Sequence, residues 1–154
     1  MDKTNKITIT CEDWATRMEI SQAVADLLGA NMLDVDDFII RGSLFNGDID
    51  EFSKEEFVQK YGNGTFLALE NISYLAYVDT VEEPFVISLG CDRDEGLAET
   101  LRKTISINIS ETGRGLFSTI SDYTVKKKET ISNTAEDIVD IITADERWQI
   151  CKNQ

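Results

Sequence analysis

The sequence predicts an α+β fold, with a mixed or mostly antiparallel sheet and about three helices packed on it, in one compact acidic domain over 1–154. Three observations lead to this prediction. A chain of 154 residues has the usual size of one domain. With 42% hydrophobic residues it can form a core, and chains of this length bury roughly 70% of their unfolded surface. Strand-like segments do not alternate regularly with helical ones, which argues against a doubly wound sheet.

The N-terminal part is predicted to form a strand and then a helix. Apolar and polar residues alternate over 6–11, which is typical of a half-buried strand. Apolar residues then recur near helical spacing from Trp14 to Leu28. Gly29 follows them, and a glycine in the left-handed conformation commonly ends a helix. We therefore expect one strand and one helix before residue 30.

A hairpin and a short helix are expected next. The apolar segments 38–40 and 44–45 precede an Asn-Gly pair at 46–47, and this pair favours the tight turn of a β-hairpin. Ser53 and Glu56 have the spacing of a capping box, in which two side chains cap the first turn of a helix.

The middle of the chain is predicted to contain two strands and a helix. Aromatic and branched residues are frequent over 65–78 and over 85–89, so both segments are predicted to be strands. Asp92 or Asp94 can then cap a helix that runs to Lys103.

The C-terminal part is predicted to begin with strands and to end with a helix. Isoleucines alternate with polar residues over 105–109, which indicates a strand. The pattern over 116–131 favours a strand over a helix. Asn133 with Glu136 is expected to open the last helix.

The cysteines and the N-terminal segment indicate a reducing compartment. Cys11, Cys91 and Cys151 are far apart and form no CxxC pair, so neither a disulfide framework nor a zinc site is expected. The first residues lack the apolar stretch of a signal peptide. No apolar run approaches the ~18 residues that span a bilayer. We therefore expect a cytoplasmic protein.

Motifs for catalysis and cofactor binding are missing from the sequence. There is no histidine, which removes the usual general base at neutral pH and the commonest ligand of transition metals. The segment 113–115, Gly-Arg-Gly, lacks the third glycine of a dinucleotide fingerprint, and no Gly-Lys-Ser/Thr sequence occurs. We therefore expect no cofactor, and we predict that the chain is not an enzyme.

One acidic segment has some features of a calcium loop. It contains Asp48, Asp50 and Glu51. Placing Gly47 at the sixth position, as an EF-hand requires, puts Gly42 at the first position, where a carboxylate is needed. The EF-hand is therefore excluded and no metal is expected. A less regular divalent-cation site is the alternative to a solvated acidic turn.

The acidic residues are concentrated along the chain. Of the net charge of −14, segments 34–56 and 79–99 carry −6 each and segment 136–146 carries −5. The only basic run, 126–128, is too small for a nucleic-acid footprint and is expected to protect an edge strand. If two acidic segments share one face, its field can raise association rates with a basic partner by about 10 to 1,000-fold at low salt.

The leading interpretation is a non-catalytic acidic binding protein. It would act as an inhibitor, nucleic-acid mimic or immunity protein that docks on a basic protein, such as a nuclease or another protein that binds nucleic acid. Immunity proteins against nuclease toxins and phage-encoded blockers of host nucleases act in this general way. Neither direct nucleic-acid binding nor membrane binding is expected. The predicted docking residues are Asp34, Asp36, Asp37, Asp48, Asp50, Glu51, Glu82, Glu83, Asp92, Asp94 and Glu95.

Other functions stay open at this point. The chain could be an assembly or chaperone-like subunit that binds through apolar surface, with its acidity serving only solubility. It could also be a small enzyme that uses carboxylates with a divalent ion. Salt dependence of binding distinguishes electrostatic docking from apolar docking.

Overall fold

A five-stranded, all-parallel sheet forms the centre of the protein. The computed structural model describes residues 3–43, 54–90, 98–110 and 120–150. The spatial order of the strands is β2-β3-β1-β4-β5. They are β1 (Lys6–Cys11), β2 (Asn31–Asp34), β3 (Phe85–Leu89), β4 (Ile105–Ser110) and β5 (Tyr123–Lys126).

Helices cover both faces of this sheet. The described ranges contain α1 (Trp14–Leu28), α2 (Val35–Ser43), α3 (Lys54–Tyr61), α4 (Asn63–Asp79), α5 (Ala98–Leu101) and α6 (Ile131–Ala144). Helices α1 and α6 pack on the face that carries the isoleucines of β1 and β4. Helices α2 to α5 pack on the other face, against β3. No helix in the described ranges is long and apolar enough to cross a bilayer.

The predicted α+β class is therefore wrong, and β1 shows one physical reason. Its alternating threonines suggest a solvated face, yet Thr8 and Thr10 are buried. The Thr8 hydroxyl lies 2.6 Å from Tyr74 Oη, and Thr10 Oγ1 donates to Asn108 Oδ1 at 2.8 Å. Hydrogen bonds between buried hydroxyl groups thus allow a central strand with alternating sequence to be covered on both faces.

Two segments predicted as strands are helices. Residues 38–40 lie in α2, and 65–78 lie in α4. In α4 the buried positions are Phe66, Glu70, Tyr74 and Val78, which follow a four-residue spacing. The aromatic and branched residues of that segment favoured a strand locally, but packing of this helical face on β3 decides its conformation. With these segments helical, strands and helices alternate and the sheet is parallel.

Several predicted elements are confirmed. They include β1, β3, β4, the short helix after Ser53 and the end of α1 at Gly29, whose φ is +68°. Asp13 caps α1 and Thr130, not Asn133, caps α6. The predicted 46–47 turn and both candidate caps at 92 and 94 lie outside the described residues.

Candidate functional site

A buried arginine joins the carboxyl ends of three strands. Arg17, in the first half of α1, donates from Nε to Ser88 Oγ at 2.8 Å and from Nη1 to the Cys11 carbonyl at 3.3 Å. Its Nη2 lies 3.3 Å from both Asp34 Oδ1 and Asp36 Oδ2. The guanidinium therefore holds together the ends of β1, β2 and β3, at the edge where parallel sheets commonly bind ligands.

Asp34 has its hydrogen-bonding capacity filled by the protein. Its Oδ1 accepts from Arg17 and from Ser88 Oγ at 2.5 Å. Its Oδ2 accepts from Trp14 Nε1 at 2.8 Å and from the Asp37 backbone N–H at 2.9 Å. The last bond caps the start of α2. Asp34 is therefore a structural residue that fixes the start of α2.

Asp36 differs from Asp34 because one of its oxygens is unsatisfied. Only 2% of Asp36 is exposed. Its Oδ2 lies 3.3 Å from Arg17 Nη2 and 3.8 Å from Lys54 Nζ. Its Oδ1 is buried and accepts no hydrogen bond from the part of the chain that the structure describes. A buried acceptor in this condition is costly, and such atoms commonly mark a functional position.

Gly90 leaves open the space in front of Asp36. A Cβ at this position would lie 3.3 Å from Asp36 Oδ2, 3.6 Å from Asp36 Oδ1 and 3.4 Å from Glu70 Oε2. Any other residue would fill this space and crowd both carboxylates. An atom placed there would lie closer to Asp36 Oδ2 than to Asp36 Oδ1. The missing side chain of Gly90, at the carboxyl end of β3, therefore leaves the two buried carboxylates uncrowded.

The connection between β1 and α1 is short and acidic. Only Glu12 and Asp13 separate the two elements. Asp13 Oδ2 accepts from the Thr16 backbone N–H at 3.1 Å and also from the Thr16 hydroxyl, and these bonds lower the pKa of Asp13. A cavity of about 300 Å³ adjoins this connection. Its lining is Cys11, Glu12, Asp13, Thr16, Ile109, Ser110 and Lys127.

The structure describes five of the predicted docking acids and places them in two separate groups. Asp34 and Asp36 are buried, so they cannot belong to an exposed docking face, and Asp37 is half-buried. Glu82 and Glu83 are exposed but precede β3, at the opposite edge of the sheet. Five strand residues span about 16 Å, which separates the two groups. The other six, Asp48, Asp50, Glu51, Asp92, Asp94 and Glu95, lie outside the described residues.

A second cluster of charges lies at the amino edge of the sheet. Arg147 Nη2 lies 2.9 Å from Asp145 Oδ2 and 3.0 Å from Asp122 Oδ2. Hydrogen bonds from Arg147 hold the pKa of the Asp145 carboxyl well below its usual range. Tyr123 Oη also donates to Asp145, at 2.8 Å. These bonds attach the segment after α6 to the start of β5, so we assign this cluster a structural role.

Metal-binding groups are absent from the part of the chain that the structure describes. Within those ranges no three Asp, Glu, Cys or His side chains form a group that could hold a metal ion. The acids of the irregular divalent-cation alternative, at 48, 50 and 51, lie outside those ranges.

The sequence prediction missed Arg17, Ser88 and Gly90. Arg17 carried a usable signal, because it precedes the buried residues Ile20 and Val24 by three and seven positions, on the same face of α1. A charged residue within a buried helical stripe requires a partner. Ser88 and Gly90 carried no such signal, because their role depends on the pairing of β3 with β2.

The fold occurs in solved structures of kinases. No family model matches the chain, and no curated protein matches it by sequence. Shikimate kinase from Aquifex aeolicus aligns with a TM-score of 0.70 and 16% identity, over 87% of this chain and 94% of that one. Shikimate kinase from Acinetobacter baumannii, in complex with shikimate, gives 0.73 and 16%, over 92% and 94%. Dephospho-CoA kinase from Campylobacter jejuni gives 0.53 and 10%, over 90% and 96%.

These similarities contradict the interpretation of the chain as a non-catalytic inhibitor, nucleic-acid mimic or immunity protein. The proteins that share its fold are named as kinases, which are enzymes. The prediction that the chain is not an enzyme is corrected on the same finding. The inhibitor interpretation used size and charge, and the non-enzyme prediction used the missing histidine and the missing cofactor motifs; none of these reports a fold. The basic protein partner stays a prediction that the described residues do not test.

A nucleotide does not fit the described β1–α1 connection. In nucleotide-binding proteins with a P-loop, a glycine-rich segment ending in Lys-Ser/Thr joins the strand to the helix and surrounds the phosphates with N–H groups. Here two acidic residues form the connection, and the Asp13 carboxylate already accepts from the first turn of α1. The first glycine after β1 is Gly29. The fold is that of kinases, but the phosphate-binding loop is absent from its usual place.

Proposed function

We propose that the chain is an enzyme that binds a small hydroxylated molecule at the carboxyl edge of its sheet, with Asp36 as general base. The Oδ1 atom of Asp36 carries this proposal, because it is buried and accepts no hydrogen bond from the described residues. A buried acceptor in this condition costs about 1–3 kcal/mol. A ligand hydroxyl that donates to Oδ1 recovers part of that free energy on binding.

The surroundings of Asp36 support this role. Arg17 and Lys54 contact Oδ2, which fixes the orientation of the carboxylate and leaves Oδ1 for the ligand. Gly90 carries no side chain that would crowd the Asp36 carboxylate. A general base must lie within hydrogen-bonding reach of the proton that it accepts, and a positioned carboxylate meets this condition. Asp36 Oδ1 is then placed to accept the proton of the ligand hydroxyl.

The charge of the site favours a particular ligand class. Three carboxylates, those of Asp34, Asp36 and Glu70, lie near two cationic side chains, those of Arg17 and Lys54. An uncharged polyol gains a hydrogen bond here without adding a negative charge. Shikimate is a further probe, because one solved structure with this fold contains it.

Ligand binding to matched variants tests the proposal. Wild type, Asp36→Asn and Asp37→Asn are titrated calorimetrically with a panel of small polyols and shikimate, and mass spectrometry records whether the bound compound is converted. Asp37 is a suitable control because it is the neighbouring carboxylate but pairs with the exposed Arg41. We expect Asp36→Asn to weaken binding at least about tenfold, which is 1.4 kcal/mol, and to abolish conversion. Equal affinities of both variants, or conversion by Asp36→Asn, would contradict the proposal.

We also propose a cytoplasmic location. The spacing of the three cysteines supports it, since secreted proteins of this size commonly pair their cysteines.

A further inference from the structure

The exposed residues of α4 over 64–78 are uncharged and mostly apolar, and the exposed Asp79 at the end of the helix pairs with Lys103. Over 64–78 the helix contains one charged residue, Glu70, and that residue is buried. The exposed large side chains are Leu69, Ile72 and Leu75, and Ile72 is 65% exposed. The chain as a whole is 29% charged residues. A helix that is apolar on both its inner and outer sides is normally covered on both sides.

The exposed residues are arranged symmetrically about Ile72. Leu69 and Leu75 lie three positions before and after it, and Ala68 and Ala76 lie four positions before and after it. All five are exposed. If a second α4 crosses antiparallel at Ile72, Leu69 of one copy meets Leu75 of the other, and the alanines allow the two backbones to approach. This is the pattern of a two-fold interface, in which one patch meets itself.

We propose that this face of α4 is a homodimer interface, with Ile72 on the two-fold axis. This inference is independent of the catalytic role of Asp36. Near a two-fold axis each charge faces its own copy, so in a protein with a net charge of −14 an uncharged face avoids repulsion between like charges there. A basic partner would need acidic residues on this face, and a membrane would need flanking Lys or Arg. The exposed residues over 64–78 include no acid and no Lys or Arg, and a single lysine, Lys60, lies just before α4.

The area of the face predicts weak association. A helix of 17 residues is about 25 Å long and about 10 Å wide, so it covers roughly 250 Å². Stable complexes bury about 800 Å² on each partner. The ring of Phe38 contacts that of Tyr77, with 5.8 Å between the ring centroids, so Phe38 lies beside this face. Phe38 enlarges the apolar area only slightly. We therefore expect a dimer that forms at high micromolar concentration.

Sedimentation velocity from about 10 µM to about 1 mM, the range suited to so small an interface, tests this proposal. The wild-type mass is expected to rise from 17.3 kDa toward twice that value. Ile72→Glu places two carboxylates across the axis and should weaken association at least about tenfold. The matched control is Leu27→Glu, because Leu27 is also apolar and is 56% exposed, on α1. Leu27→Glu should not weaken association. A wild-type mass of 17.3 kDa throughout, or equal effects of both variants, would overturn the proposal.

Disulfide trapping tests the symmetry separately. In a chain with Cys91→Ser and Cys151→Ser, Ile72→Cys is expected to form a disulfide with its own copy on mild oxidation. Leu69→Cys alone is expected to cross-link poorly, but a mixture of Leu69→Cys and Leu75→Cys should give a heterodimer. Equal trapping of Ile72→Cys and Leu69→Cys would contradict an axis at Ile72. Circular dichroism of each variant checks the fold, which should survive because these side chains are exposed.

Discussion

Arg17 Nη2 and Asp34 Oδ1 lie 3.3 Å apart, and both side chains are almost fully buried. This contact links the first half of α1 to the carboxyl end of β2, which lies two strands away from β1 in the sheet. Because Asp34 also caps α2, the same contact fixes where α2 begins and therefore where Asp36 points. The candidate site thus depends on a buried ion pair between α1 and the carboxyl end of β2.

Removal of Arg17 is expected to be strongly destabilising. Arg17→Met keeps the length of the side chain but leaves the buried Asp34 and Asp36 without this cation, which should lower the free energy of unfolding by about 3–5 kcal/mol. Arg41→Met is the control, because its ion pair with Asp37 is exposed and should contribute less than about 0.5 kcal/mol. Urea unfolding measures both. Similar losses for the two variants would show that the buried cluster is not held by Arg17.

Nucleotide binding is expected to be weak and limited by the acidic connection. Wild type should bind MgATP no more tightly than millimolar. Glu12→Gln with Asp13→Asn removes two negative charges and keeps a capping residue, so we expect up to about tenfold tighter binding of triphosphate. Glu19→Gln, an exposed acid further along α1, should change little. Micromolar MgATP binding by wild type, measured by calorimetry, would show that the phosphates bind without a glycine loop.

Tyr74 is expected to make stability fall at alkaline pH. Burial raises its pKa to about 12 from 10. Below pH 10 the phenol is neutral in both states, whereas between pH 10 and 12 only the unfolded state ionises, so unfolding becomes easier as pH rises. At pH 11 this effect is about 1.4 kcal/mol. Other groups titrate in the same range, so the measured quantity is the stability difference between wild type and Tyr74→Phe. That difference should shrink between pH 8 and 11, and a constant value would contradict the expectation.

The cysteines are expected to be reduced, with Cys11 slow to react. Unfolded, non-reduced protein should give three thiols with Ellman's reagent, and one thiol would reveal a disulfide. Burial raises the pKa of the Cys11 thiol, so little of the reactive thiolate forms at neutral pH. In a chain with Cys91→Ser and Cys151→Ser, Cys11 should therefore react at least about tenfold more slowly in the folded than in the unfolded state. Equal rates would show that Cys11 is accessible.

The strands and helix ends with strong local signals were predictable. Alternation identified β1 and β4, and the left-handed position of Gly29 ended α1 as predicted. The segment 65–78 was not predictable in this way, because its aromatic and branched residues suit a strand locally and form α4 only through packing on β3. Together with 38–40, which lies in α2, this segment accounts for a parallel sheet where a mixed or mostly antiparallel one was predicted.

The candidate site was predictable only in part. Asp34 and Asp36 were selected from the sequence as acidic residues, but as members of an exposed face. Whether an acidic residue is exposed or forms a buried ion pair depends on the cation beside it. Arg17 contacts Asp34 and Asp36 only because the ends of three paired strands lie together.

The sequence by itself determined the periodic local structure, the acidic character of the chain and the absence of a glycine loop after β1. These properties depend on residues that are neighbours in the sequence, so local sterics and charge determine them whatever the fold. The tertiary structure alone decided that α4 is a helix, that β3 lies between β1 and β2, and that Gly90 leaves space before Asp36. These features depend on contacts between residues that are tens of positions apart in the sequence. Such contacts stabilise the protein only once the sheet has formed.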